Sequence, residues 1–190
     1  MTTSFDPTAI EIAVDPTKKR MRGVAIHGNA SFDVPFMSQI DDRLWVGGCQ
    51  DGMVLPTYIE HLVSVYPWEK YTVNHELQSS LTVKMFDADG VDEELVRTVA
   101  VAINECRRDG TTLVHCQAGL NRSALVAAFA LMSGDGMSAA DAIALLRSKR
   151  SPAVLCNRTF ERWLTDQHPR SNTLTEATTG SGLCHKEENR

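Results

Sequence analysis

The sequence predicts an α/β fold, a central twisted mixed sheet flanked by helices. Short β-branched runs alternate with helical periods through the middle of the chain, and the last third is a block of helical patterns. Between them, a buried strand runs straight into a helix through a loop that carries cysteine, glycine and arginine.

Each element has its own signal. Arg43-Leu44-Trp45-Val46 reads as a strand stopped by Gly47-Gly48. His61 to Tyr66 is a second strand, closed by Pro67, and Leu81 to Phe86 a third, closed by Asp-Ala-Asp-Gly. The period then changes: Leu95, Val99, Ala102, Ile103 and Cys106 recur at three and four, the signature of one helix face. Asp92 is suited to cap that helix, Glu93 and Glu94 to its positive end, and Arg107, Arg108 and Gly110 to its finish. Thr111 to His115 is a short buried strand. Helices are predicted over about 122–133, 138–149 and 157–166, the second opening on Ser138 with Asp141 three residues on.

Length and composition narrow the function. At 190 residues the chain holds one domain with tails, and 43% apolar with 23% charged residues is ordinary for a globular protein. A formal net charge of -5 gives no basic field to gather nucleic acid, so nucleic acid is an unfavoured partner and any bound anion must be held locally. The longest apolar run, Ala124 to Met132, is too short to span a bilayer, and the N-terminus lacks a basic start followed by an apolar stretch. No membrane association is expected. The five cysteines are odd in number and irregular in spacing, which points to reduced thiols in the cytoplasm rather than a disulfide framework or zinc site. Residues 1–35 read as an N-terminal arm, extended or loosely packed, whose basic run Lys18, Lys19, Arg20 and Arg22 is a solvated segment. The folded domain is expected over 36–168, and the polar 169–190 tail is expected to be disordered.

The chemistry concentrates in His115-Cys116-Gln117-Ala118-Gly119-Leu120-Asn121-Arg122-Ser123. A loop from strand to helix can turn successive N–H groups toward one point, and the helix N-terminus adds its free donors and dipole. Gln117, Ala118, Gly119, Leu120, Asn121 and Arg122 therefore read as a cradle for a phosphate dianion. Gly119 permits the tight backbone, and Arg122 offers a planar fork to two oxygens. The same field suits Cys116 as nucleophile, since a thiol at a helix N-terminus beside cations can fall to roughly 3.5–7.5 in pKa. Ser123 is set to donate a hydrogen bond to the sulfur. His115 orients the loop and takes no proton-transfer role.

This stretch resembles the cysteine-based protein phosphatases, and His-Cys-Gln-Ala-Gly-x-x-Arg-Ser is similar to their dual-specificity branch. Ser38 to Gly48 resembles that branch's opening strand, and Ala142-Ile143 to Arg150, with Asn157 and Phe160, its closing helices, so residues 36–165 are covered. The resemblance implies the family fold, no metal and no organic cofactor. It also implies a general acid on the loop after the strand that precedes the long helix, which falls on Asp87. Asp89, two residues on, is the competing candidate, and Asp92 is better used as a cap. The implied reaction is hydrolysis of phosphotyrosine and phosphoserine or phosphothreonine in proteins through a phosphocysteine. Alternatives are an RNA 5′-triphosphatase, which Leu120-Asn121-Arg122 resembles, or another hydrolase of non-protein phosphates with the same fold, a non-catalytic phosphopeptide-binding domain, and a sulfurtransferase, which needs no acid. Trp68 and Tyr71 are candidates for the site rim or for the core. Arg147, Lys149, Arg150, Arg158 and Arg162 read as a solvated basic face.

Overall fold

The computed structural model describes residues 6, 8–15 and 19–167. The expected C-terminal tail and Lys18 lie outside the described residues. Five strands build the main sheet in the order β4, β5, β8, β6, β7: β4 (Met37–Gln39), β5 (Leu44–Gly47), β6 (His61–Ser64), β7 (Ser79–Thr82) and β8 (Thr112–His115). β5, β8, β6 and β7 run parallel, and β4 pairs antiparallel with β5 at one edge. The sheet is mixed, as the sequence predicts.

Side chains alternate across the central strands, so each strand feeds two cores. Val63 and Val114 enter the main core, while their neighbours Leu62 and Leu113 enter a smaller one with Cys49, Leu55, Ile59 and Tyr71. The helices α1 (Glu93–Asp109), α2 (Arg122–Asp135), α3 (Ala139–Lys149) and α4 (Arg158–Asp166) serve the main core. α2 is buried almost all round and packs against α1, α3, α4, β5 and β8. Asp92 caps α1 by accepting from the Leu95 N–H at 3.1 Å, and Ser138 caps α3 by accepting from the Asp141 N–H at 3.1 Å. Both caps stand where the sequence puts them.

One strand is displaced from its prediction. β7 begins at Ser79 rather than Leu81, because this outer strand shows mostly exposed side chains and its polar start carries no apolar signal. Its pairing stops early because Ser64 turns its hydroxyl back onto the Tyr66 N–H and C=O, which ends β6. Lys84, Met85 and Phe86 then run on past the end of the ladder and carry Asp87 toward the loop after β8.

The N-terminal arm corrects the expectation of an extended or loosely packed lead-in. β1 (Ile12–Asp15), β2 (Arg20–Val24) and β3 (Ser31–Pro35) form an antiparallel sheet. Met21, Phe32 and Val34 alternate inward and, with Ile10, join the main core. Arg20 and Arg22 point the other way and pair with Asp33 on the partly exposed face. The basic residues dominate the local composition and conceal the period-two pattern. No helix among the described residues is long and apolar enough to cross a membrane.

Candidate active site

β8 ends beside the ends of its two parallel neighbours, with His115 in register with Gly47 and Ser64. The chain must then turn sharply to start α2, and Cys116 to Asn121 make that turn. It is tied down from several sides. Gln117 C=O accepts from the Cys49 N–H at 2.8 Å, and Leu120 C=O from the Leu155 N–H at 2.8 Å. Gly119 has φ +70, and a Cβ there would press on the Gly47 carbonyl and the Arg150 guanidinium. Glycine is required both by conformation and by space.

The turn aims donors at the sulfur. Gly119 N–H donates to Cys116 Sγ at 3.2 Å, and the Ser123 hydroxyl lies 3.3 Å from it. The cap residue of α2, Asn121, makes no side-chain bond to the first turn. The N–H groups at the head of α2 and its dipole are therefore not spent on a capping side chain. Arg122 opens the helix with a side chain only 2% exposed. Its Nη1 donates to Asp6 Oδ2 at 2.8 Å and to the Met85 carbonyl at 3.4 Å, and its guanidinium lies 4.7 Å from the centre of the Tyr66 ring. Its Nε is buried without a hydrogen-bond partner. A buried cationic donor left over in this way is what binding a dianion requires.

Asp87 is brought to the same loop. Asn121 Nδ2 donates to one carboxyl oxygen and Asn157 Nδ2 to the other, each at 2.8 Å. One amide belongs to the loop and the other to the cap of α4, so the carboxyl is fixed by two elements distant in sequence. His27 Nε2 bonds the Asp87 carbonyl and lies 3.4 Å from a carboxyl oxygen. The Asp89 side chain is 91% exposed and 3.9 Å from the same histidine ring. Of the two candidates, Asp87 joins the loop and Asp89 faces solvent.

Among the neighbours, Arg150 departs from its sequence reading. Arg150 is no solvated helix end: it is buried behind the loop. Its donors meet the Gly119 carbonyl at 2.5 Å, the Ala118 carbonyl at 2.8 Å, the carbonyls of Pro35 and Val46, and the Ser38 hydroxyl. Burial lowers its pKa to about 10, still far above neutrality, so a second positive charge backs the cradle. Its position in a run of basic residues gives no local sign of this. Of the rim and the core left open to it, Tyr71 takes the core, with its hydroxyl on the Gly48 carbonyl and its ring edge-on to His115 at 5.2 Å. Trp68 packs between Tyr66 and Phe86, part of a stack that reaches Arg122. His115 lies 3.3 Å from the Cys116 carbonyl through Nδ1, and burial holds its pKa down to about 4, so it is neutral at neutral pH. Cys49 is the chemical opposite of a nucleophile: burial pushes its thiol up, helped by the charges of Glu69 and Asp51. The four cysteines among the described residues are free.

A sulfur under two donors, an arginine with an unpaired Nε and a buried carboxyl converge at the ends of parallel strands, the arrangement of a cysteine-phosphatase type of site. The chain belongs to the dual specificity phosphatase family, whose catalytic domain matches residues 55–169. A protein tyrosine phosphatase PRL-1 of Leishmania major is 48% identical over 52 residues, 27% of this chain and 29% of that protein. The chain thus aligns with under a third of the length of that curated relative. Among solved structures, human DUSP28 superposes with TM-score 0.58 at 23% identity, covering 68% of this chain and 90% of that one. A mouse putative dual specificity phosphatase, crystallised with zinc tungstate, superposes with TM-score 0.59 at 23% identity, covering 68% and 84%. At that identity the structural likeness speaks for the fold. Asp6 and His27 precede the stretch matched to the family.

Proposed function

We propose that this chain hydrolyses phosphomonoesters on proteins, at phosphotyrosine and phosphoserine or phosphothreonine, through a phosphocysteine on Cys116. One observation carries the reading: Cys116 Sγ sits under the Gly119 N–H and the Ser123 hydroxyl, in a loop whose Asn121 also grips Asp87. Nucleophile and acid are thereby held on one scaffold.

In the first step the Cys116 thiolate forms the S–P bond as the ester P–O bond breaks, and Asp87 gives its proton to the departing oxygen. Arg122 and the loop N–H groups hold the three remaining phosphoryl oxygens. In the second step water attacks phosphorus, Asp87 takes the water's proton, and the Cys116 thiolate leaves with the Ser123 hydroxyl hydrogen-bonded to it. Inorganic phosphate departs. Reduced thiols and a net charge of -5 fit a cytoplasmic enzyme with protein substrates.

The test is turnover on phosphotyrosine and phosphothreonine peptides, with RNA 5′-triphosphate and phosphoinositides alongside. Cys116→Ser should abolish it while phosphate or vanadate still binds. Asp87→Asn should cut it roughly 10²–10⁴-fold on alkyl phosphates and less on nitrophenyl phosphate, whose leaving group needs no proton. Appreciable turnover by pure Cys116→Ser would sink the covalent route, and preference for RNA triphosphate would replace the substrate class.

A further inference from the structure

The arm reaches the site along one continuous chain of hydrogen bonds. Arg122 Nη1 donates to Asp6 Oδ2 at 2.8 Å. The other carboxyl oxygen, Oδ1, accepts from the Thr8 N–H at 2.9 Å and from the Thr8 hydroxyl at 2.7 Å. That hydroxyl, its proton directed to Asp6, accepts the Asp87 N–H at 3.0 Å. The cation of the cradle and the segment bearing the acid are thus joined through Asp6 and Thr8.

Two roles are open to such a carboxylate. It can be a stopper that takes the place of phosphate on Arg122, or a brace that holds Arg122 ready for phosphate. The guanidinium geometry separates them. The side-on fork that grips two oxygens is Nε with Nη2, whereas Asp6 engages Nη1 and leaves Nε buried and without a partner. A stopper must also leave at every turnover. This arm is anchored instead: Ile10 is buried in the main core and donates its N–H to the Gln117 side chain at 2.9 Å, and Met21, Phe32 and Val34 are buried behind it. Stripping that apolar surface on each cycle is costly.

We propose that Asp6 and Thr8 form a positioning clip, supplied from outside the matched family region, that fixes Arg122 and the Asp87 loop relative to each other. The proposal rests on the phosphatase reading above. Its effect divides by leaving group. Every substrate uses Arg122, but only a poor leaving group depends on where Asp87 stands.

The decisive variant is Thr8→Val, which keeps the shape and deletes both hydroxyl bonds. On phenyl phosphate, which needs the proton, kcat should fall about tenfold, and on p-nitrophenyl phosphate less than about twofold. Thr8→Ser restores the hydroxyl and should recover most of the loss. Asp6→Asn should lower kcat/KM on both substrates by about tenfold, since it loosens Arg122 itself. Amide hydrogen exchange gives a readout without turnover: the Asp87 N–H should exchange faster in Thr8→Val and be protected again in Thr8→Ser. Core amides in the same measurement separate local release from unfolding. If the wild type turned over neither substrate, the phosphatase reading would fail, and the exchange result would still decide the clip. A rise of kcat/KM in either variant would make the arm a stopper and overturn the proposal. Unchanged Asp87 exchange in Thr8→Val would overturn it equally.

Discussion

Arg122 and Arg150 are both buried against the same loop, one at its front and one at its back, and they differ in what is left over. Arg150 directs its donors to four carbonyls and a hydroxyl, all of them fixed parts of the protein. Arg122 meets a carboxylate, a carbonyl and an aromatic face, and keeps Nε without a partner. A buried cation whose donors are engaged throughout shapes the backbone. One that holds a donor in reserve, while its charge is stabilised from the side, is built to receive a ligand. His115 completes the comparison: it is buried beside the loop, pairs with no acid among the described residues, and stays neutral.

The sharpest way to break this contrast is Arg122→Lys. A point charge keeps the pairing with Asp6 but loses the fork, so turnover should fall roughly 10³-fold while the thermal midpoint moves little. Well-tolerated turnover in that variant would mean that Arg122 does not grip phosphate.

Arg150→Met should show the reverse order of effects. Carbonyls at Ala118 and Gly119 would lose their donors, and each buried polar group left unsatisfied costs about 1–3 kcal/mol. A drop of at least about 3 kcal/mol in denaturant stability is expected, with activity lost because the loop no longer holds its turn. If stability were unchanged and only KM rose, Arg150 would be a ligand-facing residue and the contrast would collapse.

His115 sharpens the comparison through pH. Its folded pKa of about 4 lies below the ordinary histidine value of 6.5, so between those values the unfolded chain binds a proton that the folded protein refuses. Stability from this group is therefore whole above about pH 6.5 and is lost as pH falls toward 4, by on the order of 3 kcal/mol. His115→Gln should flatten that part of the stability–pH curve. An unaltered curve would show that the ring is not buried as described.

The smallest effect is expected at Tyr66, whose ring faces the Arg122 guanidinium. Tyr66→Leu keeps an apolar neighbour and removes the ring's attraction for the cation, worth about 0.5–2 kcal/mol. The inhibition constant for inorganic phosphate should weaken by no more than roughly thirtyfold. A loss as large as that of Arg122→Lys would shift the gripping role away from the fork.

The legibility of the site in the sequence follows from distance along the chain. Cys116, Gly119, Arg122 and Ser123 act within one strand-to-helix turn, so their spacing alone expresses the geometry, and local periodicity likewise marked α1 with its Asp92 cap. Asp87 needed the family resemblance, because a turn aspartate has no local sign of function, and it is the amides of Asn121 and Asn157 together with burial that set it apart from the exposed Asp89. Asp6 carried no signal, and the resemblance that includes Arg150 among the closing helices gave no sign of its place behind the loop. Arg150 lies among basic residues that do face solvent, and its acceptors come from residues 35, 38, 46, 118 and 119. Asp6 meets Arg122 across 116 positions in a segment whose strands are masked by charge. A sequence pattern reports what neighbouring residues do together. Which arginine keeps a free donor, and which carboxylate stands beside it, is settled only when the sheet and the arm close around the loop.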